Sequence, residues 1–230
     1  GCDNCYMFTA QRRYGRDPSI VVRTKTWNDP LKWQRQCERD GTTERIFTCS
    51  WSDWFHADAD PWRDEAWEIV KRCPNLIFQI LTKRAGRIAK HLPRDWADGY
   101  PNVWLGVSVE TMDYAWRAEY LRVIPASVRF ISYEPALGPL DDLDLTGIDW
   151  VIIGGESGPD FRAMDLQWGR DMLGKCRNSG IALFWKQSPD RFTERGTTLD
   201  GQTIREFPDA KTTRRPVPQA PATPPTSLFR

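Results

Sequence analysis

Short apolar runs alternate with amphipathic segments along the chain from about residue 45 onward. The runs are rich in Val, Ile, Leu, Phe and Trp, which indicates strands that are buried on both faces, as in parallel sheets. Several of the segments between them repeat apolar residues at helical spacing. The predicted strands are 45–50, 75–82, 102–108, 128–132, 149–154 and 181–186, and the predicted helices are 61–73, 83–91, 112–123 and 166–179.

This alternation predicts an α/β fold with right-handed crossovers. A barrel and an open doubly wound sheet would give the same order of elements, and of the two we favour a partial (β/α) barrel of the TIM type. Residues 1–207 are expected to form this one domain, with a turn at 197–203 that has Asp-Gly at its tip. Residues 208–230 are rich in Pro, Thr and Ala without periodicity, which predicts a disordered tail.

The composition is that of an ordinary globular domain. The 230 residues carry a net charge of +1, so no strong overall field indicates or excludes a nucleic-acid partner. No apolar run approaches the roughly 20 residues of a membrane span, and we expect no membrane association. The six cysteines are not spaced like those of a small secreted scaffold, which favours a reducing cytoplasm.

Polar residues follow each predicted strand although the strand bodies are apolar. Ligands of parallel α/β folds bind beyond the carboxyl ends of the strands. A single polar residue there is as easily explained by contact with water, but the whole set favours the rim of an active site. The candidates are Ser50, Ser52, Asp53, Ser108, Glu110, Glu134, Gly154, Gly155, Glu156 and Lys186.

Two cysteines, Cys2 and Cys5, are spaced so that both sulfurs can bind one metal. Alone, this Cys-x-x-Cys pair is ambiguous among zinc, thiol redox chemistry and an iron–sulfur cluster. Zinc needs about four ligands, and the two histidines, His56 and His91, do not form a metal-like pair. The remaining cysteines are expected to be packing residues, and we assign Cys49 to the interior of an apolar strand.

The first residues, Gly-Cys-Asp-Asn-Cys-Tyr, resemble the end of the motif of a phage-associated family of radical-SAM-like three-cysteine proteins. The similarity continues in the family's order to residue 207, and together these stretches are far more specific than any one motif. The other matching stretches are 23–26, 28–33, 50–56, 81–84, 105–110, 132–135, 151–158 and 184–187.

The resemblance implies a 4Fe–4S cluster on three Cys thiolates, with S-adenosyl-L-methionine on the open iron. Cys2 and Cys5 match the last two ligands, and the first would precede Gly1, so we expect an N-terminally truncated barrel of the radical SAM kind. An electron donor such as flavodoxin or ferredoxin is implied as a partner. By analogy, Tyr6, Ser50, Ser52, Asp53, Ser108, Glu110, Gly154 and Gly155 would bind the cofactor, and Glu134, Glu156 and Lys186 would act in catalysis.

The substrate stays open at this stage. The phage context suggests an isomerase or lyase reaction on a nucleotide or nucleic-acid base, for example thymidine hypermodification in phage DNA. Two basic patches, 11–16 and 83–90, are compatible with phosphate contacts, although such runs are more often solvated helix faces. The alternative is a non-enzymatic nucleic-acid-binding phage protein with a zinc or vestigial Cys-x-x-Cys site.

Overall fold

Six parallel strands form one sheet in which each strand pairs with the next in the chain. The structure, a computed structural model, describes residues 4–209. Its strands are β1 (Glu44–Thr48), β2 (Leu76–Thr82), β3 (Val103–Ser108), β4 (Val128–Tyr133), β5 (Trp150–Gly154) and β6 (Ala182–Gln187). Its α-helices are α1 (Tyr6–Arg13), α2 (Asp29–Asp40), α3 (Asp60–Lys71), α4 (Trp116–Arg122) and α5 (Leu166–Ser179).

The α/β class is as expected, but the prediction of a partial TIM-type barrel of the radical SAM kind is wrong. The sheet is an open, curled half-barrel, and within residues 4–209 its edge strands β1 and β6 do not pair. Two of its five crossovers also lack an α-helix among the described residues: β2 leads to β3 through 3-10 turns, and β4 leads to β5 through a loop. The repeating strand–helix unit that closes a barrel is therefore incomplete.

The predicted basic helix 83–91 is one source of that error. The structure has two 3-10 turns there, Ala85–Arg87 and Ala89–His91. The turn at 197–203 is confirmed, because Leu199 and Gln202 pair across Asp200 and Gly201, which both have positive φ. The disordered-tail prediction for 208–230 lies outside the described residues except at its first two positions.

The larger core lies between the sheet and its helices. Apolar side chains on one face of the sheet, such as Leu105 and Ile153, pack against Trp67 of α3, Leu121 of α4 and Cys176 of α5. The opposite face has a core of its own. Both faces of the sheet are therefore buried, which explains why the strands are apolar throughout. No helix among the described residues is long and apolar enough to cross a membrane.

The opposite face of the sheet carries a second apolar cluster, which includes Trp150 and Phe184. The segment 204–207 covers it: the Phe207 ring lies 5.3 Å from that of Trp150 and 5.6 Å from that of Phe184. The guanidinium of Arg45 on β1 lies 3.9 Å from the centre of the Phe207 ring. The Trp150 indole also donates to the Glu206 carbonyl at 2.9 Å. Phe207 thus connects the first strand of the sheet with its last two.

We expect Phe207→Ala to lower the free energy of unfolding by about 2 kcal/mol, because it removes two ring contacts and a cation–π contact. Urea unfolding would measure the change. Phe192→Ala is the matched control: Phe192 is 61% exposed and makes no ring contact with the described residues. It should cost less than about 0.5 kcal/mol. Equal losses in the two variants would contradict the role given to Phe207.

Candidate functional site

The polar candidates lie at one edge of the sheet because all six strands run in the same direction. Asp53 follows β1, Ser108 ends β3 and Glu110 follows it, Glu134 follows β4, Gly154 ends β5, and Lys186 lies near the end of β6. Neighbouring strands are about 4.8 Å apart. The carboxyl edge therefore presents a row of charged side chains, whose roles in binding and catalysis stay predictions.

Asp53 joins the loop after β1 to the end of β2. One carboxylate oxygen accepts from the Thr82 hydroxyl at 2.7 Å, and the other accepts from the Lys83 backbone N–H at 3.0 Å and from Arg84 at 2.9 Å. In this arrangement Asp53 fixes two loops of the edge relative to each other. Ser50 and Ser52 lie in the same loop and are exposed.

Glu110 is wholly enclosed and paired with two cations. Its carboxylate lies 2.7 Å from the Lys83 ammonium and 2.9 Å from the Arg117 guanidinium. Burial alone would raise the pKa of Glu110, but the two cations outweigh it, so the pKa lies below its ordinary value of 4.5. Glu110 is therefore ionised at neutral pH and holds Lys83 at the edge.

Lys186 and Glu134 form the pair at the far end of the row, 2.5 Å apart. The Lys186 side chain is 46% exposed, so its ammonium is open to solvent or to a ligand. The Glu134 carboxyl lies directly over Gly154, where an added Cβ would meet its carboxyl carbon at 3.1 Å. Gly155 is needed for a different reason, since a Cβ there would meet the Pro189 nitrogen at 2.1 Å. The close approach at both glycines is to the chain's own atoms.

Glu156 connects this edge with the N-terminal cysteine segment. Its carboxylate accepts from the Arg162 guanidinium at 2.5 and 2.9 Å, and from the Asn4 amide at 3.5 Å. Asn4 also donates to the Asp160 carbonyl at 3.0 Å. Burial would raise the pKa of Glu156, but the bonds to Arg162 lower it. Glu156 and Lys186 have separate partners and do not pair with each other.

Two hydroxyls line the middle of the row. Ser108 and Ser132 are register partners on β3 and β4, and both residues are buried. They lie on the face of Trp104 and Phe130, because alternate residues of a strand share a face. Neither hydroxyl makes a hydrogen bond within the described residues, so both can bind a ligand's polar group.

The cysteines separate into three kinds. Cys5 is a partly buried free thiol at the start of α1, whereas Cys37, Cys73 and Cys176 are buried core residues. The assignment of Cys49 to a strand interior is wrong: it follows β1, has positive φ, and is exposed. Desolvation of its sulfur by neighbouring atoms, with the Asp53 carboxylate, nevertheless raises the pKa of Cys49 to about 11, which disfavours its thiolate as a metal ligand.

The described residues do not complete the donor set of a 4Fe–4S cluster. Among residues 4–209, no group of three or more Cys, His, Asp or Glu is placed to hold a metal ion. Cys5 offers one thiol beside the Asn4–Glu156 contact. Cys2 and the side chain of Tyr6 lie outside the described residues.

Three partners at this edge were missed by the sequence reasoning: Arg117, Arg162 and Asn4. Arg162 is six residues from Glu156, so a turn after β5 could have suggested the pair. Arg117 reaches Glu110 only because α4 folds back on β3, for which the local sequence holds no signal. Asn4 meets Glu156 across 152 positions.

Comparison with known proteins identifies a family but no activity. A family model described as "Protein of unknown function (DUF5131)" matches residues 1–208, and the chain therefore belongs to this family. No curated protein and no solved structure matches the chain.

We expect Glu110→Gln to lower the free energy of unfolding at neutral pH by about 3 kcal/mol, because it leaves the buried Arg117 guanidinium without its counter-charge. Urea unfolding at several pH values would measure this. Since the folded-state pKa of Glu110 is lowered, its contribution is complete above about pH 4.5 and is lost as the pH falls through the folded value. The difference from wild type should therefore shrink in acid.

Glu119→Gln is the control for this variant. Glu119 is half exposed and pairs with Arg122 on the same helix, so its loss should cost less than about 1 kcal/mol. If Glu110→Gln were as stable as Glu119→Gln at neutral pH, the enclosed pair would not stabilise the edge.

Proposed function

We propose that this member of the DUF5131 family is a radical-SAM-type iron–sulfur enzyme that acts on a nucleotide or nucleic-acid base at the carboxyl edge of its sheet. The observation that carries the proposal is the contact between Asn4 and Glu156. Asn4 lies between Cys2 and Cys5 in sequence, so this contact brings the cysteine segment to the edge where the charged row lies. A ligand bound at this edge would then contact the metal as well as Lys186, Ser108 and Ser132.

A 4Fe–4S cluster, if bound, would supply one-electron reductive cleavage of the S–C5′ bond of S-adenosyl-L-methionine, which gives methionine and a 5′-deoxyadenosyl radical. In this proposal Cys5 and Cys2 would hold iron, and the resemblance puts the third thiolate before Gly1. Flavodoxin or ferredoxin in a bacterial cytoplasm would be the electron donor.

The chain's own residues would bind and orient the ligand. The exposed Lys186 ammonium, held in place by Glu134, can contact an anionic group, and the Ser108 and Ser132 hydroxyls can accept or donate hydrogen bonds. Below them the strands carry the large buried rings of Trp104 and Phe130. A reactive radical intermediate needs surroundings that exclude water, and buried apolar rings favour such surroundings.

The decisive experiment is anaerobic reconstitution of the full-length protein with iron and sulfide. We expect a brown protein with visible charge-transfer absorption. It should form 5′-deoxyadenosine when it is reduced in the presence of S-adenosyl-L-methionine. Cys5→Ala should abolish iron binding, because it removes a thiolate ligand.

Cys176→Ala is the control, since Cys176 is a buried residue of α5 and its loss should not affect iron content. Normal iron in Cys5→Ala would refute the assignment. A colourless protein with stoichiometric zinc would instead support the alternative of a non-enzymatic nucleic-acid-binding protein.

Lys186→Met tests the row of polar groups separately from the cluster. The Lys186–Glu134 pair is partly exposed, so its loss should cost no more than about 1 kcal/mol in unfolding free energy. We expect 5′-deoxyadenosine formation to fall at least about tenfold, because a contact to the ligand is lost.

Lys71→Met is the matched control, since Lys71 at the end of α3 forms partly exposed ion pairs with Glu68 and Asp95. It should leave turnover unchanged. A Lys186→Met protein that unfolds much more easily than wild type yet turns over normally would show that the residue serves stability alone.

A further inference from the structure

The structure distinguishes two basic segments that look alike in the sequence. In the segment 83–90, three cations are engaged: Lys83 with Glu110, Arg84 with Asp53, and Arg87 with Asp60. Their charges serve the fold and the edge of the sheet. This segment is therefore a poor surface for an external anion.

The other patch, 11–16, continues into a longer basic segment, residues 12–25, whose charge stays available. It holds five basic residues and one acidic residue, a net charge of +4, whereas the whole chain carries +1. Arg12, Arg13, Arg16 and Lys25 are exposed and form no ion pair with the described residues. Arg23 alone is paired, with Glu65. Asp17 is the one anion in the segment, and a single carboxylate does not balance five cations, so the segment attracts anions from solution.

Large side chains are exposed between these cations. Tyr14 is 69% exposed, Ile20 62% and Val22 64%. A surface that mixes cations with exposed aromatic and apolar side chains fits a nucleic-acid strand. The phosphates contact the cations, while a base stacks on Tyr14 or contacts the apolar side chains.

The position of this segment connects it with the candidate site. It begins in the last turn of α1, whose first residue follows Cys5, and an eight-residue helix is roughly 12 Å long. Asn4, just before Cys5, contacts Glu156 at the carboxyl edge. A strand bound along residues 12–25 therefore lies only a few nucleotides from the edge.

We propose that residues 12–25 bind the phosphodiester backbone of a nucleic-acid strand and so present one of its bases to the carboxyl edge. This rests on the proposed function and narrows it: the substrate is a base within a strand rather than a free nucleotide. Binding by this segment requires neither the cluster nor S-adenosyl-L-methionine, so the two proposals can fail separately.

The test is fluorescence anisotropy of a labelled single-stranded DNA of about 20 nucleotides with the full-length protein at several salt concentrations. We expect the triple variant Arg12→Gln/Arg13→Gln/Arg16→Gln to bind at least about tenfold more weakly at about 0.1 M salt. The slope of log affinity against log salt should also become less steep by about 2, the value for three lost phosphate contacts.

The control removes three other exposed, unpaired arginines, Arg35→Gln/Arg72→Gln/Arg94→Gln, and so changes the net charge equally. It should bind within about twofold of wild type. Equal losses in the two triple variants would show non-specific attraction and would overturn the proposal, as would a wild-type protein that does not bind the DNA.

Two further outcomes separate the possibilities. Binding to vesicles of phosphatidylserine and phosphatidylcholine, with no binding to DNA, would assign the segment to a membrane surface and refute the proposal. If the protein binds no iron but the Arg12 triple variant loses DNA binding, the enzymatic function is refuted, and only the binding of a strand by residues 12–25 remains supported. Cluster formation without any DNA binding would do the reverse.

Discussion

Parallel pairing of six consecutive strands is the constraint on which the rest of the structure depends. Because every strand runs in the same direction, each loop that follows a strand begins at one edge, and the side chains of distant sequence segments meet there. The backbone hydrogen bonds of the sheet thus set the spacing of Asp53, Glu110 and Glu134. Burial of both faces maintains this arrangement, with the helices on one side and Phe207 over the second cluster on the other.

The ion pairs at the carboxyl edge are of two kinds: buried pairs that stabilise the fold, and exposed pairs whose cation can also contact a ligand. Each carboxylate has a cationic partner, but the partners differ in exposure: Arg117 beside Glu110 is nearly buried, whereas Lys186 beside Glu134 is 46% exposed. A buried pair fixes the backbone around it, since removal of either member leaves a charge in a medium of low dielectric constant. An exposed ammonium can exchange its contacts with a ligand at small cost.

The order of strands and the common polar edge could be predicted from the sequence, because buried parallel strands are apolar throughout and the polar residues follow them directly. Closure into a barrel could not, since the same alternation fits an open sheet. The basic run at 83–91 shows the limit of periodicity: its cations are drawn to Asp53, Asp60 and Glu110, and 3-10 turns form in place of a helix. The exposed position of Cys49 could not be predicted either, because it depends on the positive φ of Cys49 directly after the end of β1.

The two basic segments show why residue type alone does not identify a binding surface. Both have closely spaced cations, yet tertiary contacts occupy three of the four in 83–90, since acidic residues from three other segments of the chain lie against Lys83, Arg84 and Arg87. Among the described residues no acidic side chain forms an ion pair with Arg12, Arg13 or Arg16, although the charge of Asp17 in the same segment acts on Arg12. An ion pair within the protein lowers the free charge that a polyanion can meet, and the counterions released on binding come only from cations that were free beforehand. The chain therefore concentrates its available positive charge beside the cysteine segment, although its net charge is close to zero.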